Sequence, residues 1–207
     1  MKFLHLIFLT LSALLYGCGN DSPDGRYVSG GSTVLALGDS LTAGYGAGAG
    51  EDYPSLLAAK TSWHIVNGGV SGDTSAQALA RLPALLAQHQ PQLVIISIGG
   101  NDFLRRQSAG ETRSNIKQII KLVRETGAQM ILVGVPGLNA GAVLGVPRDH
   151  ELYAEIAAAE NITLYPSAWG DILRKEHLRS DQIHPNAAGY ALFSEEFYAF
   201  LRKKKFL

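Results

Sequence analysis

Five short apolar runs punctuate this chain, and each is separated from the next by a segment of helical length. Thr33–Gly38 (TVLALG), Trp63–Asn67 (WHIVN), Leu93–Ile98 (LVIISI), Met130–Val135 (MILVGV) and Ile162–Tyr165 (ITLY) are too short for buried helices, and turn residues bound most of them. They read as strands. Tyr53–Lys60, Thr74–Gln90, Thr112–Glu125 and Asp149–Glu160 read as helices between them, and Asn186–Lys204 closes the chain. Leu79, Leu82, Leu85 and Leu86 share one face of the second helix, although Pro83 predicts a kink or break there. Ile116, Ile119, Ile120 and Val123 share one face of the third, which Gly127 ends. Alternation with helical crossovers dictates an α/β fold, a parallel sheet covered on both faces. With 207 residues, 46% apolar and 17% charged, the chain suits one domain, spanning 33–207.

The first residues stand apart. Lys2 precedes an apolar stretch, Phe3–Tyr16, that ends at Gly17-Cys18. A charged start, a short apolar core and a small residue describe a secretory signal peptide over 1–17; spanning a bilayer comfortably takes about 20 apolar residues. Leu15-Tyr-Gly-Cys18 resembles the lipobox of bacterial lipoproteins, which implies a lipid on Cys18; an ordinary cleaved signal is the alternative. Cys18 is the sole cysteine, so an intramolecular disulfide is excluded, and a bare thiol in an oxidising compartment is a liability. Residues 18–32 are polar and rich in Gly and Ser, and read as a flexible tether. Formal net charge is zero, and nothing in the sequence points to nucleic acid, which needs a basic face. The run Arg202-Lys203-Lys204-Lys205 suits the solvated end of a helix, with weak contact to anionic lipid as the alternative.

In open parallel sheets, ligands bind beyond the carboxyl ends of the strands. Those ends carry Gly38-Asp39-Ser40, Gly68–Asp73 and Gly99-Gly100-Asn101-Asp102, and the long Pro136–Pro147 loop follows the fourth strand. Asp181-Gln-Ile-His184 precedes the last helix. A serine becomes a nucleophile only with a base in reach. His184 is the best-placed histidine for that, and Asp181, three residues earlier, can orient its ring. An oxyanion site needs preorganised donors. The Ser40 N–H, the unobstructed Gly72 N–H and the Asn101 side-chain amide qualify. Each residue also has a plain structural use: Ser40 and Asn101 as helix caps, Gly72 and Asp181 in turns, His184 on the surface. Four such coincidences at four separate strand or loop ends favour chemistry. Asp39, Asp73 and Asp102 read as braces for the turns.

Gly38-Asp-Ser-Leu41, Gly72, Gly100-Asn-Asp102 and Asp181-x-x-His184 resemble, in order and spacing, the four signature blocks of the SGNH hydrolases, the GDSL esterases and lipases. The resemblance covers residue 33 to the C-terminus. It implies a three-layer α/β/α flavodoxin-like fold with a central parallel sheet, and no metal or other cofactor. It also implies Ser40 as nucleophile, His184 as base and Asp181 as its orienter, with Ser40, Gly72 and Asn101 as the oxyanion hole. Leu138, Val143, Leu144 and Val146 either line an acyl site or pack beneath their loop. The expected activity is hydrolysis of carboxylic esters or thioesters of small acyl substrates. A carbohydrate O-acetylesterase and a non-catalytic envelope lipoprotein are the alternatives. The expected setting is the cell envelope, with a monomer anchored through Cys18. Gly19 in place of an aspartate favours an outer membrane.

Overall fold

The computed structural model describes residues 23–137 and 147–207. The five apolar runs are strands of one sheet: β1 (Thr33–Gly38), β2 (His64–Gly69), β3 (Leu93–Ser97), β4 (Gln129–Val133) and β5 (Thr163–Tyr165). Their order is β2-β1-β3-β4-β5 and every neighbouring pair is parallel. The expected α/β class with a central parallel sheet is what the chain adopts. β3 is buried at every residue, as its unbroken apolar run requires of a strand covered on both faces. β2 lies at an edge and exposes His64 and Asn67.

The connections are helical. In chain order they are α1 (Ser40–Ala43), α2 (Tyr53–Thr61), α3 (Ser75–His89), α4 (Gly100–Leu104), α5 (Ala109–Glu125), α6 (Leu152–Glu160), α7 (Ala168–Leu173) and α8 (Ala187–Lys203), with a 3-10 turn at Glu176–Leu178. α2, α7 and α8 pack together as one layer, and α3, α5 and α6 as the other. α3 runs unbroken through Pro83. That proline is exposed, so water can serve the backbone groups it leaves unpaired. Thr74 and Gln77 form a capping box at the start of α3. α5 begins earlier than its apolar period suggests, because Ser108 caps it through the Gly110 N–H. In one layer the Trp169 ring stacks on Phe193 at 3.9 Å, and its indole N–H donates to Ser97 Oγ at 3.0 Å, tying α7 to the end of β3.

The stretch 18–32 differs from expectation in its described part, residues 23–32, which is docked rather than loose. The Gly25 and Val28 amides donate to the Lys204 and Phe206 carbonyls at 2.7 and 2.8 Å. Arg26 exchanges two hydrogen bonds with the Gln129 side chain. Thr163 Oγ1 donates to the Pro23 carbonyl at 2.7 Å, and the Trp63 indole to the Val28 carbonyl at 3.1 Å. Val28 and Phe206 are buried there. A Cβ on Gly25 would sit 2.5 Å from the Phe206 ring, so glycine serves close packing here rather than flexibility. Cys18 lies outside the described residues.

Candidate active site

The reversal of strand order falls between β1 and β3, so the loops leaving these two strands diverge and open a crevice at their carboxyl ends. The β1 loop delivers Ser40 as the first residue of α1. Asp39 caps that helix by accepting the Leu41 N–H at 3.0 Å, so Ser40 itself is not used as the cap. From the far end of the chain, the loop before α8 brings His184. Its Nε2 lies 3.0 Å from Ser40 Oγ and its Nδ1 lies 2.8 Å from Asp181 Oδ2. The other Asp181 oxygen accepts the Ile183 and His184 amides, each at 2.8 Å. Burial by itself would push the Asp181 carboxyl up. The bond from the His184 ring and those two amides together hold it below its ordinary value. Two further groups fix the imidazole and its loop. Tyr45 lies against the ring with centroids 4.5 Å apart, and the Ser180 N–H donates to the His184 carbonyl at 2.9 Å. The antiparallel bridge between Arg179 and Pro185 closes the same loop.

The proposed oxyanion donors converge on the same crevice. Gly72 has φ +85, and a Cβ there would meet only the Arg105 guanidinium, at 3.6 Å. The demand for glycine is thus conformational rather than steric. Arg105 donates to the Gly72 carbonyl at 2.8 Å, which fixes the peptide's orientation. Asn101 lies in the first turn of α4 and donates from Nδ2 to the Asp73 carbonyl at 2.9 Å. An amide nitrogen carries two protons, so one remains for a ligand. Ser40, Gly72, Asn101 and His184 all line one cavity of about 740 Å³. Leu41, Tyr45, Phe103, Leu104, Leu173 and Ile183 supply much of its apolar wall. Leu138, Val143, Leu144 and Val146 lie outside the described residues, although Gly137 and Pro147, which flank that segment, line the cavity.

The expected bracing carboxylates do brace. Asp102 is buried; it accepts the Ser75 N–H at 2.8 Å and the Ser75 and Thr112 hydroxyls, joining α3, α4 and α5. Asp73 accepts Arg81 Nε at 2.7 Å, and the same guanidinium donates to the Gly38 carbonyl at 2.9 Å. Arg81 thereby pins the Gly72 loop to the end of β1. Asp39 is fully enclosed. Burial, aided by the charges of Asp102 and Asp73, pushes its carboxyl up to about 7 against the opposing Leu41 hydrogen bond. Neither Tyr45 nor Arg81 stands out in the sequence, since their parts depend on which loops meet. Among the described residues, no group of three or more His, Cys, Asp or Glu side chains is arranged to hold a metal ion.

A serine-bearing turn after the first strand of a doubly wound sheet, faced by an imidazole from the last loop, is the arrangement of an SGNH-type hydrolase. Residues 36–192 match the GDSL-like Lipase/Acylhydrolase family, and the chain belongs to it. The chain is 36% identical over 196 residues to "Thioesterase 1/protease 1/lysophospholipase L1" of Escherichia coli K12, covering 90% of this chain and 84% of that protein. It is 36% identical over 160 residues to an "Arylesterase" of Vibrio mimicus, covering 73% and 79%. Among solved structures, the psychrotrophic esterase EstA from Pseudoalteromonas sp. superposes with a TM-score of 0.73 at 30% identity, covering 83% of this chain and 97% of that one. The protein is an ester-hydrolysing enzyme.

Proposed function

We propose that the chain hydrolyses carboxylic esters, and thioesters of similar size, by two-step acyl transfer through Ser40, His184 and Asp181. One observation carries this reading: the unbroken hydrogen-bonded series from Ser40 Oγ through the imidazole to Asp181, at 3.0 and 2.8 Å. Ser40 Oγ attacks the acyl carbonyl and passes its proton to His184 Nε2. The resulting oxyanion is held by the Ser40 and Gly72 amides and the free Asn101 proton. Asp181, kept ionised by its three donors, stabilises the imidazolium. Collapse expels the alcohol or thiol, which takes the proton from His184 and leaves an acyl-serine. Water then attacks the acyl carbon and yields its proton to His184. The carboxylic acid departs and Ser40 regains its proton. Every step is served by these side chains without a cofactor.

Leu41, Phe103, Leu104 and Ile183 suit the acyl chain of a short or medium ester. The setting we propose is the cell envelope, with the N-terminus held at a membrane through Cys18. The direct test is a pair of measurements on p-nitrophenyl esters. Ser40→Ala should abolish turnover without changing the thermal melt, and octanoyl should be preferred over acetyl. Equal low rates in Ser40→Ala and wild type would refute the mechanism. A preference for acetyl would refute the assigned acyl wall.

A further inference from the structure

The N-terminal segment and the catalytic mouth occupy opposite poles of the sheet. Ser40, Gly72 and Asn101 follow the carboxyl ends of β1, β2 and β3. Residues 23–32 are fastened at the amino ends: Pro23 to Thr163 at the start of β5, Arg26 to Gln129 at the start of β4, and Gly31 to Ser62 just before β2. The six residues of β1 alone put about 20 Å of strand between the poles. Residues 19–22 separate Cys18 from the docked Pro23, and the five steps from one to the other reach at most about 18 Å when fully extended. That reach does not carry the mouth round to the surface holding Cys18.

The amino-end pole also has its own chemistry. α8 starts beside the catalytic loop and runs to this pole, so the basic run that ends it is delivered here rather than at the mouth. Arg26, Arg202 and Lys203 are exposed and form no ion pair among the described residues. Lys204 and Lys205 approach Asp24. Of the other acidic groups near this pole, Glu160 pairs with Arg124 and Lys117, and Glu125 with Lys121. The surplus is positive. Tyr27, the most exposed large apolar side chain among the described residues at 70%, stands in the middle of the docked segment. A basic surface with a protruding tyrosine matches an anionic bilayer, whose headgroups attract Lys and Arg and whose interface favours Tyr.

We infer that this amino-end pole sits on an anionic bilayer and that the catalytic mouth opens away from the membrane that holds the chain. The inference rests on the proposed attachment at Cys18 and narrows the substrates: they arrive from the aqueous compartment or the facing envelope layer, not from the leaflet beneath. The test uses the full lipidated chain in phosphatidylglycerol–phosphatidylcholine vesicles containing a shallow spin-labelled quencher lipid. Cys18 is the sole cysteine and its thiol is consumed by the lipid, so Ser29→Cys marks the pole and Gln182→Cys marks the mouth with one fluorophore each. The pole label should lose the larger part of its emission and the mouth label should keep it. Quenching of both labels, or of the mouth alone, overturns the orientation. Quenching of neither overturns the membrane contact, including where mass spectrometry finds Cys18 bare. Hydrolysis of a soluble p-nitrophenyl ester in wild-type vesicles is scored separately. Its absence would refute the proposed catalysis while leaving the label pattern to judge the orientation.

Discussion

Replacing Asn101 by alanine separates catalysis from folding in this site. The side chain has two tasks. One amide proton satisfies the Asp73 carbonyl at 2.9 Å, and the other faces the cavity beside Ser40 and Gly72. Loss of the first leaves one partly buried carbonyl without a partner, a cost of about 1–3 kcal/mol. The Asp73 loop keeps its other ties, from Arg81 and Arg105, so the lower end applies. For a chain of this size that shifts the melting temperature by about 2–4 °C, and it leaves the folded fraction at assay temperature essentially intact. On the proposed mechanism, loss of the second proton removes one oxyanion donor, worth about 2.7–4 kcal/mol, or roughly a hundred- to a thousandfold in kcat. The donor acts on charge that develops only in the transition state, so KM should barely move. Steady-state kinetics on a soluble short-chain p-nitrophenyl ester, with a thermal melt on the same preparation, measures both tasks. A loss in kcat below about tenfold with the melt shifted as expected would show that Asn101 is a structural tie alone.

Three other substitutions probe the remaining parts. Asp181→Asn can keep the acceptor that serves the Ile183 and His184 amides but turns an NH2 toward Nδ1; kcat should fall on the order of 10⁴-fold with the fold unchanged, and retention of more than a tenth of wild-type kcat would exclude the orienting role. Gly72→Ala meets only an ordinary contact with Arg105 yet must hold φ +85; a stability loss of roughly 1–2 kcal/mol, read from chemical denaturation, should accompany a larger loss in kcat as the amide tilts away from the oxyanion. Asp39→Asn tests linkage. The folded Asp39 carboxyl is raised to about 7, so the protonated form is the one the fold prefers. Its stabilisation is complete below the unfolded value near 3.8, and falls by on the order of 4 kcal/mol as pH rises through 7. Asparagine keeps the cap and removes the titration, so its melting temperature should lose less between pH 5 and 8 than the wild type does; parallel curves would refute the burial argument.

How much of this was readable from the residues depends on the range of the forces involved. Leu93–Ser97 and Ile116, Ile119, Ile120 and Val123 announce a central strand and a core-facing helix because apolar spacing is local information. The termini of those elements are less so. α6 begins at Leu152 rather than at Asp149, whose carboxylate instead accepts the Ser167 N–H at 2.6 Å across the fold. α7 and the 3-10 turn are too short to carry a period, and went unforeseen. The docking of residues 23–32 was hidden by composition: Gly25, Ser29 and Gly31 look like linker, but their neighbours Val28 and Arg26 find Trp63, Phe206 and Gln129 only after the sheet exists.

The site was legible for a different reason. Asp181 and His184 carry their own geometry within one tight loop, where Asp181 accepts its own neighbours' amides. Asp39 likewise caps the helix that presents Ser40, so each half of the site is preassembled locally. The 3.0 Å contact between Ser40 and His184 spans the chain, and the sheet delivers it. Reversal of strand order after β1 opens the crevice, and α8, docked against α2 and α7, places the His184 loop above it. Arg81 and Tyr45 escape a reading of the sequence because they act between separate elements. Arg81 joins the loops after β1 and β2, while Tyr45 packs against the imidazole and accepts the Tyr190 hydroxyl of α8 at its carbonyl, 2.9 Å away. What local patterns leave unspecified in this enzyme is thus the registry between prebuilt loops, and the residues that set it, Arg81 and Tyr45, are those whose partners sit on other elements.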